Sequence, residues 1–167
     1  MPLTKIQSLG ITDGTIVNAD INASAAIAGT KLTGVGKVLQ VVTATDSTTR
    51  STTSSSFVTA SNTLSVTITP SSASNKIFII VNTSIYKNQI AAVFALYKNA
   101  SYINDFAFFG TGGIDPAVPL AFSYLDSPAS TSALTYQLYF KSTGGANPVD
   151  IQSNNVLGSI TAFEIAA

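Results

Sequence analysis

Residues 76–98 read Lys-Ile-Phe-Ile-Ile-Val-Asn-Thr-Ser-Ile-Tyr-Lys-Asn-Gln-Ile-Ala-Ala-Val-Phe-Ala-Leu-Tyr-Lys. Every residue from Ile77 to Val81 is apolar. Side chains alternate between the two faces of a strand, so Ile77, Ile79 and Val81 belong to one face and Phe78 and Ile80 to the other. A strand apolar on both faces needs cover on both. In an all-β chain the cover is a second sheet, or a neighbouring subunit. A second apolar run, Ala91 to Tyr97, follows a polar Lys87-Asn88-Gln89 break, which suits a hairpin turn. The remaining segments read as layers added to this pair.

Outward from that centre, strand signals recur. Val38 to Thr45 is rich in valine, and Phe57 to Ala60 is a short strand. Leu64, Val66 and Ile68 alternate with Ser65, Thr67 and Thr69, and Pro70 ends the run. Lys98-Asn99-Ala100-Ser101 reads as a hairpin turn into Tyr102 to Phe109. Leu120 to Leu125 follows, and Leu134, Tyr136, Leu138 and Phe140 alternate with Thr135, Gln137 and Tyr139. Val149 to Ser153 and Gly158 to Ile165 complete the set. Asp46 to Ser56, almost pure Ser and Thr, reads as an exposed loop. Gly110 to Pro119, with Pro116 and Pro119, reads as irregular. The expectation is an all-β fold, an antiparallel sandwich of the jelly-roll or TNF-like kind with nine to ten strands.

Residues 1–36 differ. Gly10, Gly14, Gly29, Gly34 and Gly36 punctuate small residues, and large apolar side chains are few. The division is therefore an N-terminal arm, 1–36, and a β-sandwich head, 37–167. The arm is expected to be extended and ordered against another surface. Asp20 or Asn22 would cap a short helix through Ala23, Ala25, Ala26 and Ala28, ended by Gly29.

Composition limits the chemistry. The 167 residues carry 8 basic and 8 acidic side chains, a net charge of zero. Charged residues make up 10% of the chain, against about 25% in a typical soluble domain. Mean hydropathy is +0.36, yet no apolar run reaches the roughly 20 residues of a membrane helix. Membrane insertion is not expected. Surface polarity must come from Ser and Thr, about a quarter of the chain. Such a surface associates readily. With no basic cluster to neutralise phosphates, nucleic acid is not an expected partner. Without cysteine there are no disulfides or thiolate sites, and no secretory signal is visible at Met1 to Gln7.

The chain also lacks histidine, which rules out Ser-His-Asp and His-Glu-x-x-His arrangements. Glu164 is the one glutamate. In register with Ile160 and Ala162 it falls on a partly apolar face. It would form a glycosidase pair with Asp105, Asp126 or Asp150 only if the fold brought them together. The expectation is a carboxylate at a rim or subunit contact. Gly110-Thr111-Gly112-Gly113 has neither the lysine nor the helix of a phosphate cradle. Phe106, Phe108, Phe109, Phe122, Tyr124, Tyr136 and Tyr139 are candidates for a sugar platform, with core packing expected for the phenylalanines. Tyr86, Tyr97, Tyr102, Tyr124 and Tyr139 are expected at surfaces or interfaces, since each has an apolar body and a polar tip. No catalytic, cofactor-binding or metal-binding residue is assigned, no cofactor is expected, and the chain is read as a non-enzyme.

One segment has a wider likeness. Asp13-Gly-Thr-Ile-Val-Asn-Ala-Asp-Ile-Asn-Ala-Ser-Ala-Ala-Ile-Ala-Gly-Thr-Lys-Leu32 resembles a stretch that recurs in fibre-like virion proteins of tailed bacteriophages, notably cyanophages. Gly36 to Val42 and Leu64 to Val81 are similar to the start of the β domains there, and Ile160 to Ile165 to their last strand. Together these cover about half of the chain. The resemblance implies a virion structural protein, a homotrimer whose arm, Asp13 to Leu32, binds other capsid or tail proteins. An arm and a head with almost no shaft between them favour a short fibre, a knob or a capsid decoration. The alternative is a receptor-recognition tip that binds a host-surface glycan. It would have exposed Tyr or Asp side chains grouped in the loops near Gly110 to Pro119 or Ser142 to Pro148.

Overall fold

A computed structural model of the chain describes residues 37–60, 64–145 and 147–167, with backbone only for 114–116. The expected arm and its short helix lie outside the described residues.

Eleven strands form two antiparallel sheets, joining the expected class. They are β1 (Val38–Asp46), β2 (Arg50–Thr52), β3 (Val58–Thr59), β4 (Ser65–Ile68), β5 (Lys76–Asn88), β6 (Ala92–Lys98), β7 (Ser101–Phe109), β8 (Ile114–Asp126), β9 (Leu134–Ser142), β10 (Val149–Ile151) and β11 (Gly158–Ile165). In the first sheet β5 is central. β11 and β10 lie end to end along one of its flanks, β8 along the other, and β1 and β2 lie outside β11 and β10. In the second sheet β9 takes β3 and β4 on one flank and β6 on the other, and β7 lies outside β6.

The pairings are nested. β1 pairs β11, β4 pairs β9, β5 pairs β8 and β6 pairs β7. The first half of the head thus pairs with the second half in reverse order, as a long hairpin does when rolled up. This is the wiring of a jelly roll.

Alternation selects the core. Ile77, Ile79, Val81 and Ile85 of β5 face inward, against Leu134, Tyr136, Leu138 and Phe140 of β9 and Phe94 and Leu96 of β6 in one buried cluster. Phe94 and Phe140 stack across β6 and β9 with centroids 6.3 Å apart. Burying each such side chain stabilises the fold by roughly 1.5–3 kcal/mol before chain entropy is counted.

Four expectations are corrected. The Lys87-Asn88-Gln89 break is not a hairpin: β5 and β6 lie in different sheets, so the chain crosses the sandwich there. Both runs are apolar on two faces, and each finds its own sheet rather than the other. Within the supposed Ser/Thr loop, Arg50–Thr52 pairs with β10, because backbone hydrogen bonding needs no apolar side chain. Gly110 to Pro119 is only partly irregular. β8 begins at Ile114, and Pro119 lies opposite Ser84. The prolines are tolerated because β8 is an edge strand, where one flank needs no N–H donors. A register shift near Ala117 (φ 49°) marks a bulge between them. Finally, among the described residues the strands number eleven against about nine to ten expected, because β2 is added.

Candidate interaction surfaces

The paired carboxylates come first, because the fold does bring two of the candidates into one row. Glu164 and Asp126 both lie opposite Ile77, one on each flank of β5. At about 4.8 Å per strand their backbones are roughly 10 Å apart. Each is committed to the protein. The Oε1 atom of Glu164 accepts from the Ser71 amide (2.6 Å), the Ser71 hydroxyl (2.8 Å) and Asn75 Nδ2 (2.6 Å). Oε2 accepts from Gln40 Nε2 (2.7 Å), which also donates to the Thr69 carbonyl. Burial pushes the Glu164 carboxyl up, but these bonds outweigh it and hold the group at about 2. Glu164 is 1% exposed, on the same inward face of β11 as Ile160 and Ala162. Its job is to tie the turn at Ser71–Asn75 to β11 and β1.

Asp126 Oδ2 accepts from Lys98 Nζ at 2.8 Å and from the Tyr136 hydroxyl at 2.5 Å. Asp150 accepts from the Ser51 hydroxyl (2.6 Å). Asp105 faces the rings described below. Among the described residues no cluster of acidic side chains could hold a metal ion, and no helix is long and apolar enough to cross a membrane.

Two outer faces remain. On the first sheet, register aligns three rows: Val41–Phe163–Phe78–Leu125, Thr43–Thr161–Ile80–Ser123 and Thr45–Ser159–Asn82–Ala121. None of these residues is charged. Val41 is 53% and Leu125 48% exposed, and Phe78 and Phe163 are half-buried with ring centroids 6.3 Å apart. Val38 and Leu39 extend the apolar surface at the start of β1. The inward and outward assignment of Ile77 to Val81 is as the alternation requires.

On the second sheet the outer face is aromatic. Tyr97 and Tyr139 stack at 3.8 Å between centroids. Tyr102 meets Tyr97 edge-on at 5.7 Å, and Phe57 meets Tyr97 at 5.9 Å and Tyr102 at 6.0 Å. Lys141 Nζ lies 4.4 Å from the Phe57 centroid. Small Ala95 lies opposite both Tyr139 and Asp105 in the register, leaving room for the rings. Desolvation, then the neighbouring Tyr139 and Asp105, raise the Tyr97 hydroxyl above its ordinary value. Asp105 therefore adds negative potential beside the ring group.

The expected tyrosines divide. Tyr97, Tyr102 and Tyr139 gather here. Tyr86 is half-buried opposite Asp150. Tyr124 packs edge-on against Phe106 at 5.5 Å, and Phe106 stacks on Phe122 at 4.8 Å. Tyr136 leaves the platform altogether, being fully buried. Phe108 departs from the core expectation: it is 66% exposed, because it lies opposite Val93 on the outer face. Tyr97, Tyr102 and Tyr139 lie on strands and Phe57 just before β3, none of them in the two glycine-rich loops. Phe57 read only as the start of a short strand and carried no signal for this group, since it is a single aromatic after a Ser/Thr run.

The fold and these faces define an antiparallel jelly-roll sandwich with an uncharged apolar row on the outer face of one sheet and an aromatic group on that of the other. No protein-family model matches the chain, and no curated protein matches it.

Proposed function

We propose that the chain is a non-enzymatic virion structural protein of a tailed bacteriophage. The jelly-roll head closes into a homotrimer, and the arm, Asp13 to Leu32, anchors it to the particle as a short fibre or knob. The observation that carries this reading is the uncharged row Val41–Phe163–Phe78–Leu125 on the outer face of the first sheet. Water gains nothing by keeping it wet, and identical copies can cover it without burying a charge. Four strands by about seven residues span roughly 19 by 23 Å. That footprint is roughly 440 Å², about half of the roughly 800 Å² per partner of a specific interface, and exposed Val38 and Leu39 add to it. The phage setting rests on the resemblance of Asp13 to Leu32 and of the β segments.

The test is solution mass by light scattering. A species near three times 17.2 kDa is expected, and Phe78→Asp should reduce it to the single chain while leaving the strand signature in circular dichroism. A wild-type chain that stays single at about 100 μM would overturn the trimer. A second reading, capsid cement, uses the same head. It is separated by copy number on the intact particle: threefold capsid positions mean decoration, and a few copies at one vertex mean tail.

A further inference from the structure

We infer that the aromatic face of the second sheet is a binding site for a neutral saccharide. The inference stands whether or not copies associate through the first sheet.

A sugar ring offers two things: a face of C–H groups, which packs on an aromatic ring, and hydroxyls at its rim, which need donors and acceptors. The second sheet supplies both on one surface. Tyr102 is 51% exposed. It is fixed in direction by an edge-on contact with Tyr97 and a tilted one with Phe57, and Tyr97 is itself backed by its stack on Tyr139. A ring held from behind loses little freedom on binding, which is what makes tyrosine an economical anchor. Phe108, on the same face of β7, extends the ring surface toward Val93. Asp105 is exposed on the strand between them, opposite Ala95, and its carboxylate can accept hydrogen bonds from a ligand. Lys141 supplies a donor on the far side, above Phe57.

Charge selects the ligand. Among the described residues the face carries one carboxylate, Asp105, and one ammonium, Lys141, which cancel, in a chain of zero net charge. An acidic glycan or a phosphate would meet no excess of positive potential. A neutral polyol matches the face, and its hydroxyls can both donate to Asp105 and accept from Lys141. A second copy of the chain fits less well here than on the first sheet, because it would have to bury both charges.

The experiment titrates the whole chain, followed by tyrosine fluorescence and by calorimetry. The probes are neutral oligosaccharides of glucose, mannose, galactose and N-acetylglucosamine, taken to about 10 mM, where a weak single site saturates. Saturable binding is expected for at least one probe. Tyr102→Ala and Asp105→Asn should each weaken it by roughly tenfold or more. Asp105→Asn should leave the thermal midpoint unchanged, because its side chain is exposed; Tyr102→Ala gives up the ring contacts with Tyr97 and Phe57 and should lower it by a few degrees at most. Failure of every probe to bind would overturn the inference. So would binding that both variants leave unchanged, or a change in solution mass caused by Tyr102→Ala, which would mark the face as a contact between copies.

Discussion

Tyr136 and Asp126 join the two sheets. The hydroxyl of Tyr136, on β9, donates to Oδ2 of Asp126, the last residue of β8, at 2.5 Å. Lys98, on β6, donates to the same oxygen. A carboxylate in a core is costly unless paired. Here the end of the first sheet lends the charge and two strands of the second supply the donors, so the pair also sets how the sheets meet.

Tyr136→Phe should therefore cost about 1.5–3 kcal/mol, because it removes a donor from a buried carboxylate and leaves the ring volume intact. Urea denaturation would read it as a lower midpoint with an unchanged slope. Burial, then the Asp126 bond, raise the Tyr136 hydroxyl far above its ordinary value of 10. The folded state thus keeps a proton that the unfolded state loses. The wild-type contribution is complete below pH 10 and is lost as pH climbs beyond it. The variant should show a shallower alkaline decline, the remainder coming from hydroxyls such as that of Tyr97, which is also raised.

Glu164 gives the opposite limb. Its folded value of about 2 lies below the ordinary 4.5, so its contribution is complete above pH 4.5 and disappears between 4.5 and 2. The difference corresponds to on the order of 3 kcal/mol. Glu164→Gln should lower the midpoint at pH 7 and flatten the acid limb. A wild-type stability that is level across that window would refute the assignment.

The turn between β6 and β7 carries Asn99 (φ 49°) and Ala100 (φ 61°), with Lys98 paired to Ser101. Two left-handed residues in a two-residue hairpin make a type I′ turn, which favours Asn-Gly. Alanine is strained there, so Ala100→Gly should raise stability by about 0.5–1 kcal/mol, measurable as a higher thermal midpoint.

Gly158→Ala should do harm for a different reason. A Cβ there would stand 3.0 Å from Thr83 Oγ1, 3.2 Å from Leu64 Cδ1 and 3.3 Å from Gln152 Cγ. These atoms belong to a packed interior, and overfilling it should cost about 1–3 kcal/mol in denaturant unfolding.

Most of the strands were legible because burial imposes a period of two. Ile77, Ile79 and Val81 face the core, and Leu134 to Phe140 alternate as written. The short pieces were not, since β2 is held by backbone bonds that leave no trace in Arg50-Ser51-Thr52. That Glu164 shares a face with Ile160 and Ala162 was legible, but its burial and its partners were not, since Gln40, Ser71 and Asn75 are 89 to 124 residues distant in the chain.

What the sequence determined by itself is the class of fold and the chemistry left out of it: alternating apolar residues make sheets, and a chain with no histidine or cysteine has no use for their reactions. Tertiary structure decided the rest. It sent Ile77 to Val81 and Ala92 to Leu96 into separate sheets, placed Glu164 and Asp126 on either side of Ile77, and gathered Phe57 with Tyr97, Tyr102 and Tyr139. Local pattern tells a side chain which face to take. Only the pairing of distant strands tells it which neighbours it will have there.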